Sequence, residues 1–127
     1  YYEVELYEIG PEAVFGWVSG NFQYGVLQGF SKLGVGDDMA SWGLKAHATV
    51  VWEAHDVLGL AADLRSHSLT FTLNGKVIHV EPLPVDIKVV YPAVTARSLE
   101  ADFNFGSQPF HFSPPATDYQ SVYRSVR

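Results

Sequence analysis

The chain is dominated by short stretches in which apolar and polar residues alternate with a period of two. At its start, Tyr2, Val4 and Leu6 fall on one face of an extended chain, and glutamates fall on the other. Residues 68–73 repeat this alternation. A period of two is typical of half-buried β-strands. Further apolar runs predict strands at residues 13–19, 50–52, 57–64, 76–80, 88–95 and 101–105.

The dipeptide Asn74-Gly75 separates two of these predicted strands. Both residue types tolerate the positive φ of a type I′ turn, so the pattern predicts a tight hairpin. Many short strands separated by turn residues are typical of an all-β sandwich or barrel.

The end of the chain has a different pattern, with a helical spacing of apolar residues and a capping-box spacing just before it. These positions are Tyr119, Val122, Tyr123 and Val126, preceded by Thr117 and Gln120. The pattern predicts either a short helix or a frayed tail. The chain therefore divides into a β domain over residues 1–115 and a C-terminal tail or helix over residues 116–127.

Composition narrows the classes of partner. The 127 residues are 47% apolar, which suits one domain with its own core. A net charge of −6, with eight scattered basic residues, argues against binding nucleic acid or anionic lipid. No apolar run approaches the roughly 20 residues that span a bilayer.

The chain lacks cysteine, which suits a reducing compartment and predicts an intracellular, cytoplasmic protein. Because it opens on Tyr1 inside a strand pattern, we expect a piece of a longer protein.

The glutamates of the first strand are the strongest catalytic candidates. Glu3 and Glu5 lie two residues apart, so their side chains share a face, with about 6.5 Å between their Cα atoms. Sandwich-fold glycosidases use paired carboxylates, about 5–5.5 Å apart in retaining enzymes. The next acids, Glu8 and Glu12, fit no glycosidase motif. We therefore expect Glu3 and Glu5 to lie on a solvated outer face.

The other candidate motifs for catalysis or metal binding are incomplete. Asp37 and Asp38 follow glycines, but the alternating acids and closing glutamate of a Ca²⁺ loop are missing, and Met39 stands where a dinucleotide loop needs glycine. The five histidines show no metal-ligand spacing, and Ser31 lacks the second glycine of a nucleophile elbow. The sequence predicts no catalytic residue, metal site or cofactor.

Several runs, taken in order, resemble one known family. They are Tyr1-Tyr2-Glu3-Val4-Glu5-Leu6, Val14-Phe15-Gly16-Trp17-Val18, the segment with Gly36, Asp37, Asp38, Ser41 and Trp42, then Asp56-Val57-Leu58-Gly59, Leu69 to Gly75 including Asn74, Tyr91-Pro92-Ala93-Val94 and Asn104-Phe105-Gly106. Their order and spacing resemble the SPRY domain over residues 1–115. Two departures concern local loops: His55 stands where the family usually has glycine, and the residues after Gly75 differ from the usual continuation.

The resemblance implies two stacked antiparallel sheets, a jelly-roll-related β-sandwich, and a role in binding proteins. In this family, loops at one end of the sandwich bind peptides or folded partners. On this chain those loops contain Phe22, Tyr24, Phe30, Lys32, Arg97, Ser98 and Leu99. Residues 97–99 do not match the turn that some members use for an asparagine-containing peptide, so that specificity is not expected.

These observations favour a non-catalytic protein-interaction module within a larger intracellular protein. One alternative is a structural domain that packs against neighbouring domains of its parent protein. Another is a sandwich-fold carbohydrate-binding protein or glycosidase, with Glu3 and Glu5 facing a sugar.

Overall fold

A computed structural model describes residues 1–10, 13–20, 25–27, 31–33, 35, 41–45, 52–116 and 119–122, with backbone alone at 25–27 and 31–33. These residues form β-strands in the order Tyr2–Ile9 (β1), Val14–Val18 (β2), Gly25–Leu27 (β3), Ser31–Leu33 (β4), Ser41–Lys45 (β5), Val57–Asp63 (β6), Ser68–Leu73 (β7), Lys76–Pro82 (β8), Tyr91–Thr95 (β9) and Leu99–Asn104 (β10).

The strands form two main antiparallel sheets. One has five strands in the order β10-β1-β6-β7-β8, and the other has three in the order β5-β2-β9, while β3 pairs with β4. The fold is therefore all-β with two sheets, which confirms the predicted sandwich class. The chain divides into two compact units, Tyr1–Glu8 with Glu53–Lys88 and Glu100–Arg127, and Ile9–Trp52 with Val89–Leu99.

The five-stranded sheet is built around β1. This strand pairs with β6 from Tyr2 opposite Leu60 to Glu5 opposite Val57. Tyr2, Val4 and Leu6 are buried, as the alternation predicted, together with Leu60 of β6. Burial of each such large apolar side chain stabilises the fold by about 1.5–3 kcal/mol.

The predicted hairpin between β7 and β8 is confirmed. Asn74 and Gly75 have φ of 50° and 84°, the left-handed values that a type I′ turn requires. The Asn74 side chain also fixes the turn to the start of β6. It accepts the Val57 N–H at 2.9 Å, and its amide nitrogen donates to Asp56 Oδ1 at 3.0 Å.

His55, the departure noted before Asp56, adopts a φ of 73°. The backbone thus keeps the left-handed conformation that favours glycine, although the residue has changed. The His55 N–H donates to the Leu6 carbonyl at 2.6 Å, and the Leu6 N–H donates to the Asp56 carbonyl at 2.8 Å. These two bonds hold the residue in place against the steric cost of its conformation.

The three-stranded sheet requires small residues at its centre. Gly16 of β2 lies opposite Gly43 of β5 on one side and Ala93 of β9 on the other. A Cβ at Gly16 would overlap the Trp42 carbonyl oxygen and come within 2.6 Å of the Gly43 Cα. Pro92 is compatible with β9 because that strand lies at the edge of the sheet that the described strands form, where a missing N–H is tolerated.

Three sequence predictions differ from the structure or lie outside it. Trp52 is not in a strand, and the rest of the strand predicted at 50–52 lies outside the described residues. Strand β9 begins at Tyr91, later than predicted. Residues 119–121 have no regular structure and Val122 is helical, while the rest of the predicted C-terminal helix is not described.

Within the described part of the chain, no helix is long and apolar enough to cross a membrane.

We expect Gly16→Ala to lower the free energy of unfolding by about 2–4 kcal/mol, because the added methyl group forces β2 and β5 apart. Gly20→Ala is the matched control, since a Cβ there meets nothing within 4 Å. Urea unfolding of both variants measures the difference. Equal effects of the two substitutions would contradict the close approach of β2 and β5.

Candidate functional site

The loop between β9 and β10 carries one of the two predicted binding segments. Arg97 and Ser98 are exposed, and Leu99 is half-buried as the first residue of β10. The Ser98 carbonyl accepts the Gly10 N–H at 2.8 Å. This bond ties the centre of the loop to the residue that follows β1.

Glycine at position 10 allows this contact to be short. A Cβ on Gly10 would lie 2.8 Å from the Ser98 carbonyl oxygen and 3.2 Å from the Ser98 Cβ. Any larger residue would push the loop away and lengthen the hydrogen bond. Arg97 is therefore presented on backbone whose position is set by a close backbone contact.

The other predicted segment is only partly described. Phe22, Tyr24 and Phe30 lie outside the described residues, and Lys32 lies in β4, where the backbone alone is described. Of the predicted structural motif, Gly36, Asp37 and Asp38 also lie outside them, whereas Ser41 is buried and Trp42 half-buried in β5. The assignment of Phe22, Tyr24, Phe30 and Lys32 to a binding segment therefore stays a prediction.

Glu3 is buried, whereas its position in the sequence predicted a solvent-exposed side chain. Its side chain is 1% exposed rather than solvated. One oxygen accepts the His111 N–H at 2.8 Å, and the other accepts the Phe112 N–H at 3.0 Å and the Tyr1 hydroxyl at 3.1 Å. The expectation of a solvated outer face is wrong for Glu3, because a segment from the end of the chain covers it.

We call residues 110–112 the C-terminal strap. The Phe110 ring meets the Tyr1 ring edge-on with centroids 4.8 Å apart, and the Phe112 ring lies against Gly75 of the hairpin. Burial, and then the charge of Glu3, raise the pKa of the Tyr1 phenol, which keeps it a hydrogen-bond donor. The strap therefore places one aromatic ring against Tyr1, places the other against the hairpin, and directs two backbone N–H groups at the Glu3 carboxylate.

A polar network on the surface includes His111 of the strap. Glu5 Oε2 lies 3.3 Å from His55 Nδ1, and Glu5 Oε1 lies 3.7 Å from His111 Nε2. Tyr7 donates its hydroxyl to Asp102 at 2.8 Å and meets the His55 ring edge-on. The hydrogen bond from His55 lowers the pKa of Glu5, and the hydrogen bond to Asp102 raises that of Tyr7.

The hydrogen bonds from the strap to Glu3 leave little scope for catalysis by the glutamate pair. Both Glu3 oxygens already accept hydrogen bonds, so this carboxylate is unsuited to act as a glycosidase nucleophile. Within the described residues, no three His, Asp or Glu side chains are placed to hold a metal ion. Sequence reasoning missed the histidines because they lie 50 and more than 100 residues from the glutamates that they contact.

Comparison with known proteins identifies a family and a relative. The family model described as the SPRY domain matches residues 1–108. A 62-residue stretch is 37% identical to the ATP-dependent RNA helicase Ddx1 of Drosophila melanogaster, covering 46% of this chain and 8% of the helicase. This chain therefore spans a small part of that relative, whose activity is not carried over by the match. The family match ends just before the strap.

We expect Glu3→Gln to lower the free energy of unfolding by about 1–3 kcal/mol, because one of the two acceptor oxygens becomes an amide that faces backbone donors. Glu5→Gln is the matched control on the same face of β1, and we expect it to change stability by less than about 1 kcal/mol, since Glu5 is partly solvated. Urea unfolding at neutral pH compares them. A larger loss for the Glu5 variant would refute the assigned role of Glu3.

Proposed function

The chain belongs to the SPRY domain family, whose domains are generally protein-interaction modules, and we propose that it binds a peptide or a folded protein through its loops. The two binding segments would be the one that contains Phe22, Tyr24, Phe30 and Lys32, and the one formed by Arg97, Ser98 and Leu99.

The observation that carries this proposal is the exposed Arg97 beside the close Gly10–Ser98 contact. Arginine is enriched among the residues that dominate binding energies at protein interfaces, because it combines charge, several donors and an apolar stem. A loop that is already fixed loses less conformational entropy on binding. An exposed arginine on restrained backbone is therefore suited to contact a partner.

The aromatic residues of the other segment support the same proposal. Phe22, Tyr24 and Phe30 stand among polar and glycine residues in a stretch between strands. Aromatic side chains of this kind supply large contact area at interfaces. Because the chain has no cysteine, the proposal places the partner inside the cell, in a reducing compartment.

A second candidate is packing within a longer protein. The relative from Drosophila melanogaster carries the matched stretch within a chain of which it forms 8%. If the loops of this domain instead contact other parts of the same polypeptide, Arg97→Ala would leave capture by the isolated domain unchanged. The same substitution would then lower the stability of the full-length protein.

We expect Arg97→Ala and Phe30→Ala each to weaken binding of a captured protein by about tenfold or more, with little change in melting temperature. The control is Arg65→Ala, which removes an exposed arginine from the β6–β7 turn. Quantitative affinity capture identifies proteins held by the wild-type domain, and calorimetry with the purified protein then gives each dissociation constant.

Binding through the loops predicts that the Arg65 variant behaves like wild type. If the Arg97 and Phe30 variants both retain wild-type affinity while remaining folded, the loops are not the binding surface. If instead both variants unfold, these side chains belong to the core and the assignment is also wrong.

A further inference from the structure

Strand β8 forms one end of the five-stranded sheet, and no described strand lies beyond it. With respect to the described residues, its outer edge therefore presents main-chain donors and acceptors that can pair with another strand. Val77 and Val80 on this strand are 51% and 57% exposed. Exposed β-branched residues on an open edge are a feature that sheet proteins usually avoid, so this strand requires an explanation.

The pairing with β7 determines which face each side chain of β8 occupies. Val77 and Val80 lie opposite Thr72 and Thr70, and they share one face of the sheet. On the other face, Lys76 lies opposite Leu73 and Glu81 opposite Leu69.

Ile78 has no partner on β7, because the register shifts there by one residue. This bulge places residues 77 and 80, three apart, on the same face.

Glu81 has an unused acceptor. Among the described residues, its Oε1 is buried without a hydrogen-bond partner, and its Oε2 has only a long contact of 4.0 Å to His79 Nε2. Burial raises the pKa of Glu81. Lys76, on the same face near the opposite end of the strand, has no ion-pair partner among the described residues. A buried carboxylate oxygen without a partner is unfavourable, and the side chain, which is 27% exposed, can still pair with a cation through its other oxygen.

We propose that β8 pairs antiparallel with β8 of a second copy of this chain, which gives a two-fold symmetric dimer with a continuous sheet. In the register centred between Ile78 and His79, Lys76 lies opposite Glu81 of the second copy, and Val77 lies opposite Val80 of the second copy. The symmetry repeats both pairs, so four valines meet on one face and two ion pairs form on the other.

The faces of the side chains select this register. Residues directly opposite each other in paired strands share a face. A slip by one residue in either direction would set a valine opposite Lys76 or Glu81, which lies on the other face. The register that matches charge with charge is therefore also the one that matches valine with valine. This surface is distinct from the loops of the proposed function.

The competing explanation is that β8 resists pairing. Inward-facing charges, a bulge and an edge lysine are devices that discourage strand addition. This explanation leaves the partly exposed Glu81 carboxylate with only the 4.0 Å contact to His79 among the described residues, whereas the dimer places Lys76 of the second copy beside it. The two explanations predict opposite oligomeric states.

The first test is charge reversal, followed by sedimentation velocity of the 127-residue chain. Edge pairings of this size form weak interfaces, so we expect wild type to dimerise at about 10–500 μM protein. Lys76→Glu and Glu81→Lys should each lower the association constant at least about tenfold, because like charges then face each other. An equimolar mixture of the two variants should recover the dimer, since every pair in the mixed species is complementary.

Val80→Asp should also give a monomer, and Val85→Asp is its control. Val85 is 70% exposed but lies outside β8, so its substitution should leave the dimer intact. Wild-type chain that stays monomeric throughout this range would overturn the proposal and favour the protected edge. A dimer that both charge reversals and Val80→Asp leave unchanged would overturn it as well.

Cysteine pairing gives a second test that does not depend on charge. The chain contains no cysteine, so Val77→Cys and Val80→Cys introduce the only thiols. Residues 77 and 80 of different copies should lie within disulfide range, whereas identical positions should not. We expect oxidation of the mixed variants to give several-fold more cross-linked dimer than oxidation of either alone. Equal yields from the mixture and from the single variants would contradict this register.

Discussion

The buried carboxylate of Glu3 joins the first strand of the five-stranded sheet to the end of the chain. A carboxylate removed from water is stable only if other groups replace its hydrogen bonds. Glu3 receives those bonds from the Tyr1 hydroxyl and from the N–H groups of His111 and Phe112. The end of the chain must therefore return to the first strand, and its position there is fixed by main-chain groups rather than by apolar contact alone.

Because of these hydrogen bonds to Glu3, the folded domain includes residues that follow the part matched by the family model. The match ends at residue 108, while two of the three donors to Glu3 come from His111 and Phe112. The Val122 N–H also donates to the Tyr1 carbonyl at 3.1 Å. A fragment cut at the end of the match would leave Glu3 with one donor. Residues after 108 thus contribute to the same sheet as the motifs that resemble the family.

Sequence patterns correctly predicted those structural features that depend only on neighbouring residues. The alternation at β1 and the Asn74-Gly75 turn identified a strand and a hairpin, because side-chain period and left-handed φ are properties of neighbouring residues. The burial of Glu3 was not predictable in this way. Its partners lie 108 and 109 residues away, and nothing beside Glu3 in the sequence distinguishes it from a surface glutamate.

The candidate site also combines features that neighbouring residues predict with contacts between residues distant in the sequence. Exposure of Arg97 follows from its place in a polar loop, but the close Gly10–Ser98 contact joins residues almost ninety positions apart. His55 is an intermediate case, because the resemblance identified a departure from glycine and the φ of 73° explains why glycine is usual there. The aromatic residues of the other loop remain predictions from sequence.

The central claim is that Glu3 holds the strap on β1 in the folded protein. Amide hydrogen exchange, measured residue by residue with NMR, tests it directly at the His111 and Phe112 N–H groups. The account predicts that both amides exchange as slowly as those of β6 in the centre of the sheet, because they open only with the sheet itself. Exchange of both at the rate of an unstructured peptide, while β6 stays protected, would contradict it.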